Sequence, residues 1–177
     1  GLSFHTIIAS GKNAYFLHHT PTHQPLMKKE LVLIDAGAHY RGYCADISRT
    51  VPASGKFSSS QAAIYDIVLS ALEGCIAKAK PGVTLADLHQ VAAREITSGL
   101  VDERLLRGKV SALIEKEAYK SFFPHKISHW LGIDTHDPGP VVNPETGKFE
   151  SSWTRPLVPG VALTLEPQTE ERRITPD

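Results

Sequence analysis

Leu31-Val32-Leu33-Ile34-Asp35-Ala36-Gly37 is an apolar run that ends on a carboxylate, followed by a small residue and a glycine. Short apolar runs bounded by turn signals read as buried strands. A second run reaches Asp46 after the turn residues Arg41-Gly42, and two paired strands account for both. Asp35 and Asp46 lie eleven residues apart across this reversal, so a hairpin sets their carboxylates side by side. Carboxylates at the ends of buried strands cost desolvation energy unless a cation or a donor compensates. Two aspartates so placed repel each other, whereas a pair of divalent ions about 3.5–4 Å apart uses both. Taken alone, the pair also fits a blander arrangement in which Asp35 caps a turn and Asp46 pairs with Arg49 or Arg41.

On the N-terminal side, residues 5–9 and 14–18 read as strands separated by the turn Ser10-Gly11-Lys12-Asn13. On the C-terminal side, Ile64, Ile67, Val68, Ala71, Leu72, Cys75, Ile76 and Ala79 recur at helical spacing within 58–80, and Pro81-Gly82 stops the run. Thr84 and Asp87 form a capping box for a second helix. Its buried stripe is Leu85, Leu88, Val91, Ala92 and Ile96, and it ends near Gly99. A third helix spans 105–117, followed by a connection rich in Pro, Gly and Asn over 138–154. The last strand, 161–166, places Ala162, Thr164 and Glu166 on one face. Strands, then helices, then strands predict an α+β layer fold.

With 177 residues and 41% hydrophobic content, the chain suffices for one domain or a large part of one. Lys plus Arg equals Asp plus Glu at 19 each, which leaves no net field to attract nucleic acid or anionic lipid. No apolar run approaches the roughly 18–20 residues of a membrane span, and no basic stretch precedes an apolar one at the start. Cys44 and Cys75 make no disulfide framework and suit a reducing compartment, the cytoplasm or an organelle matrix. Opening on Gly1 rather than Met, the chain is expected to be a portion of a longer one.

Several other residues carry potential chemistry. His125 and His129 are four apart, as in the zinc motif H-E-x-x-H, but Lys126 stands where the catalytic Glu belongs and Pro124 argues against a helix. His129 therefore reads as a strand-borne ligand, with His136 following in Asp134-Thr135-His136-Asp137. Each of these histidines also fits an ordinary core or surface position. Glu166 ends its strand just before Pro167, where a solvated end is the plain alternative. His18 ends the strand expected at 14–18, while His5, His23, His39 and His89 read as surface or packing residues. No G-x-S-x-G context, no matched Cys and His, and no phosphate loop occur, which disfavours covalent nucleophile chemistry and nucleotide hydrolysis.

Together these segments resemble the proline-specific metallopeptidases of pita-bread fold, and within them the aminopeptidase P (Xaa-Pro aminopeptidase) family. The resemblance rests on residues 13–20 (NAYFLHHT), 31–37 (LVLIDAG), 42–50 (GYCADISRT), 55–57 (GKF), 64–69 (IYDIVL), 128–137 (SHWLGIDTHD) and 157–167 (LVPGVALTLEP). It implies a curved antiparallel sheet with helices on its outer face. It also implies two divalent metal ions, most often Mn(2+), and cleavage of peptides whose second residue is proline. By position, Asp35 resembles the bidentate ligand of one metal, Asp46 a carboxylate bridging both, and His129 and Glu166 ligands of one metal. His18, His125 and His136 match the family histidines that line the pocket. His136 would stabilise the tetrahedral intermediate, and His18 and His125 would position substrate. A site rich in carboxylates with a single imidazole suits manganese better than a thiolate site would.

Two departures stand out. The family has Gly after the first histidine of H-G-x-x-H, where Lys126 is expected to crowd a close backbone approach. A bridging Glu of a later strand has no counterpart in the stretch from Gln168 to Asp177, so the second metal is expected to bind weakly. The family's N-terminal domain and first catalytic helix also lack counterparts, making 1–177 a partial catalytic domain with its fold incomplete at both ends. The alternatives are a prolidase-like Xaa-Pro dipeptidase and a non-catalytic module that binds peptides or proteins. Homo-oligomer formation is compatible with all three.

Overall fold

The apolar run at 31–36 forms the middle strand of a three-stranded antiparallel sheet. The computed structural model describes residues 1–139, 147 and 151–169. In chain order its strands are β1 (Ile7–Ser10), β2 (Leu31–Ala36), β3 (His39–Tyr40), β4 (Tyr43–Cys44) and β5 (Ile47–Pro52). The larger sheet has the order β1-β2-β5, with Asp35 opposite Ile7 on one side and Ser48 on the other. The expected pairing of two strands is present, but the second run is divided. The β3–β4 hairpin forms the reversal, turning through Arg41 and Gly42 at φ 52° and 88°, and Asp46 immediately precedes β5. Positive φ at both central residues is the primed turn that a two-residue hairpin requires.

Gly37 lets the two aspartate-bearing stretches close on each other. A Cβ there would collide with the Ala45 carbonyl oxygen, which is backbone and has no rotamer to yield. The crossing is tied by Ala45 N donating to Ala38 O at 3.0 Å and to Ser3 Oγ at 3.1 Å.

Three helices follow, α1 (Ser59–Lys78), α2 (Leu85–Asp102) and α3 (Val110–Glu115). Ser58 with Gln61 and Thr84 with Asp87 form complete capping boxes at the starts of α1 and α2. The two long helices approach closely at small residues. A Cβ on Gly99 would lie 2.5 Å from Ile67 Cγ1, and one on Gly74 3.3 Å from Val91 Cγ1. Leu88, Ala92, Ile96 and Leu100 of α2 are fully buried against Ala71 and Cys75 of α1. Phe122, Phe123, Ile127, Trp130 and Leu157 complete the same core. The buried stripe of α2 thus presses on the segments that carry His125, His129 and Glu166. Each fully buried Leu, Ile or Phe contributes about 1.5–3 kcal/mol.

Four expected elements differ. Residues 14–18 do not form a strand, because Gly11 at φ 52° starts a 3₁₀ turn over Gly11–Tyr15 that continues into a turn at Leu17 and His18. The second helix runs past Gly99 to Asp102. There, Arg104 at φ 60° ends it, with Leu105 N and Leu106 N both donating to Leu100 O. Those bonds, with Gly108 at φ 137°, shorten the third helix to six residues. The last stretch is extended and pairs with 127–131 through Leu131 N to Ala162 O, Thr164 N to His129 O and Glu166 N to Ile127 O. It forms bridges rather than a strand, since His129 N donates to the Thr164 hydroxyl instead of a backbone carbonyl. Much of the 138–154 connection lies outside the described residues.

Gly37→Ala is expected to lower stability by about 1–3 kcal/mol or more, the cost of overpacking against atoms that cannot move. Urea denaturation of both proteins measures it.

Candidate metal centre

β2 alternates so that Leu31, Leu33 and Asp35 share one face. Asp46 comes in from the neighbouring strand entry, fixed by the Ala45 bonds. His129 and Glu166 arrive on the paired segments 127–131 and 162–166, aligned by the backbone bonds between them. Asp46, His129 and Glu166 each offer a ligand atom within 4.8 Å of the other two. His129 Nε2 lies 3.3 Å from Asp46 Oδ2 and 2.9 Å from Glu166 Oε1. The shorter contact has the length of an ion pair but not the direction of a hydrogen bond. His129 Nε2 and Glu166 Oε1 therefore lack a hydrogen-bond partner among the described residues, as does the buried Asp35 Oδ1.

The tautomer of His129 follows from its other nitrogen. Nδ1 lies 2.9 Å from the Trp130 carbonyl, which only accepts, so Nδ1 carries a proton and Nε2 is the nitrogen that faces the carboxylates and would bind a cation once its own proton leaves. His125 is held the same way, with Nδ1 donating to the Lys126 carbonyl at 2.9 Å and Nε2 buried without a partner among the described residues.

Charge is concentrated here. Burial, then the Asp35 and Glu166 charges, push the Asp46 carboxyl up to about 6, while His129 pulls the other way. Burial pulls His129 down, but the Glu166 carboxylate, the Trp130 carbonyl and the Asp46 charge outweigh it and lift the imidazole to about 9. Burial pushes Glu166 up, yet His129 and the Thr164 hydroxyl hold it below the usual carboxylate range. The proton on His129 supplies the positive charge that the carboxylates require. Orphaned oxygens on Asp35 and Glu166, Asp46 beside them, and one imidazole nitrogen fit a hard divalent cation.

The flanking histidines surround this cluster. The His136 ring is 4.2 Å from that of His129, and the His18 ring 6.5 Å from His136. Burial and the charge on His129 push His136 down. His125 stacks edge-on to Phe123 at 5.1 Å. Lys126 does not crowd the centre; it is exposed, with Nζ 4.9 Å over the Trp153 ring. Neither Arg49 nor Arg41 pairs with Asp46 among the described residues, and His89 is a packing residue against Tyr119, Phe123 and Trp153. The expectation about a further carboxylate rests mainly on 170–177, outside the described residues.

The sequence matches the metallopeptidase family M24 over residues 1–174. The chain belongs to this family. It is 42% identical over 165 residues to the Xaa-Pro aminopeptidase of Escherichia coli, covering 93% of this chain and 36% of that protein. It is 43% identical over 174 residues to a probable Xaa-Pro aminopeptidase of Paracoccidioides lutzii, covering 93% and 37%. The chain thus spans just over a third of the length of the curated relatives it matches. Among solved structures, an alanine variant of Escherichia coli aminopeptidase P superposes with a TM-score of 0.85 at 41% identity, covering 94% of this chain and 36% of that one. The Pseudomonas aeruginosa aminopeptidase PepP gives 0.87 at 39%, covering 98% and 38%. The fold is therefore the pita-bread fold of the M24 metallopeptidases, as the sequence motifs implied.

Thr164 was not singled out as a site residue from the sequence, although its place on the Glu166 face was legible. It is 6% exposed, its hydroxyl accepts the His129 N–H at 3.1 Å, and it also lowers the Glu166 carboxyl. Thr164→Val is expected to weaken divalent-metal binding about 10–100-fold, the usual effect of losing such a support, whereas Thr164→Ser retains it. Titration calorimetry with Mn(2+) distinguishes the two.

Proposed function

We propose that this chain carries the metal-dependent chemistry of an Xaa-Pro aminopeptidase, hydrolysing the bond between an N-terminal residue and a following proline. The observation that carries the reading is the convergence of Asp46, His129 and Glu166, with Asp35 beside them, in a member of a metallopeptidase family. Relatives named Xaa-Pro aminopeptidase supply the substrate class, and a structural neighbour is an Escherichia coli aminopeptidase P in complex with substrate.

In this reading Asp35, Asp46, His129 and Glu166 would hold divalent ions, Mn(2+) by preference. When bound, such ions supply Lewis-acid polarisation of the scissile carbonyl and acidify a water. The protein's own groups do the rest. His136, kept neutral by burial and by His129, donates a hydrogen bond toward the oxygen on which charge develops. His125 offers Nε2 as an acceptor to a substrate N–H, its orientation fixed by the Lys126 carbonyl. His18, exposed beside His136, aligns the peptide. The compartment is the cytoplasm or an organelle matrix, in keeping with two free thiols.

The test is release of the N-terminal residue from an Xaa-Pro-Xaa tripeptide, with Mn(2+) and with chelator. Cleavage is expected only with metal, and Asp46→Ala and His129→Ala are each expected to reduce it to background. Unchanged turnover in either variant overturns the ligand assignment, and no cleavage by the folded protein overturns the proposed activity.

A further inference from the structure

Beside the metal centre lies an open cavity of about 620 Å³ lined by Tyr15, Phe16, Leu17 and His18 on one side and Lys120, Ser121 and Pro124 on the other. The first group is the 3₁₀ turn and the loop that ends in His18. The second is the end of the 3₁₀ segment Ala118–Ser121 and the residue just before His125. The cavity is therefore lined by one histidine that flanks the metal centre, His18, and by the residue just before another, His125. Phe16 and Leu17, at 62% and 45% exposure, present apolar surface next to it.

We propose that this cavity holds the residues following the proline, with Lys120 drawing the peptide's C-terminal carboxylate; the inference rests on the aminopeptidase reading and assigns that site a further substrate contact. Three observations argue for it. First, an aminopeptidase places a single residue on the N-terminal side of the scissile bond. A cavity within the roughly 300–1,000 Å³ typical of whole ligands fits the longer remainder of the peptide. Second, charge sets the direction. Among the described lining residues Lys120 is the only ammonium and none is acidic, so once Lys120 leaves Glu117 the cavity favours a peptide's carboxylate over its N-terminal ammonium. Third, Lys120 is free to exchange partners. Its 2.6 Å ion pair with Glu117 is about half exposed on both sides. Pairs of that kind are worth little in water, so a carboxylate at the groove can replace Glu117 at small cost.

The proposal separates peptides by what lies beyond the proline. A tripeptide offers its C-terminal carboxylate to Lys120, so the free acid is favoured over the amide. The experiment measures kcat/KM with Mn(2+) for an Xaa-Pro-Xaa tripeptide and for its C-terminal amide, in the unaltered chain, Lys120→Gln and Glu117→Gln. The unaltered chain is expected to favour the acid by about three- to fivefold, with the preference shrinking as salt is raised. Lys120→Gln is expected to remove the preference while still cleaving the amide, and Glu117→Gln to increase it. An acid-to-amide ratio that Lys120→Gln leaves unchanged overturns the proposal while the aminopeptidase reading stands. Failure of the unaltered chain to cleave either peptide overturns both.

Discussion

Three carboxylates and one imidazole meet in a partly buried cluster, and the rest of the structure serves that meeting. Asp35 and Glu166 raise the cost of ionising Asp46, and the proton on His129 is the positive charge that now lies among them. Such a cluster weakens the fold unless a cation compensates it, since unpaired buried charge is expensive. Its retention therefore needs a functional reason, and binding of a divalent ion supplies one.

Each proposed ligand is delivered by a backbone feature that leaves little freedom. The β2–β5 register and the glycine at 37 bring the two aspartates together. The hydroxyl of Thr164 and the backbone bonds between 127–131 and 162–166 fix His129 relative to Glu166. Behind that pair stands the apolar core built on α2, whose buried Leu88, Ile96 and Leu100 join Ile127 and Trp130 in one cluster. His129 and Glu166 thus sit on segments packed against that core. The surfaces assigned to substrate, at His18 and Lys120, are exposed and lie on a turn and a 3₁₀ segment.

Legibility in the sequence tracked the range of the interaction. The run at 31–36 was readable because a continuous apolar strand ending in Asp is unusual. The capping box at Thr84 was readable because it is complete within four residues. The ligand set could be collected only by combining separated motifs, since neither Asp46 nor Glu166 is distinctive alone. The misread elements turn on backbone signs or distant partners that no local pattern displays. Arg104 at positive φ halts a helix whose apolar spacing continues, and Gly11 at positive φ converts an alternating stretch into a 3₁₀ turn. The hydroxyl of Thr164 takes a ladder position from the backbone, and that exchange depends on His129, 35 residues away. Lys126 looked obstructive beside His125 because the sequence does not show Trp153 beneath its side chain.

The central claim is that a divalent ion takes the place now held by the His129 proton. Calorimetric titration of the chain with Mn(2+) at about pH 7.5, repeated in buffers of differing ionisation enthalpy, counts the protons released on binding. With His129 lifted to about 9, saturable binding with release of about one proton is expected, and affinity that falls as the pH is lowered toward the range where Asp46 also protonates. Binding without proton release, or no binding at all, would contradict the account.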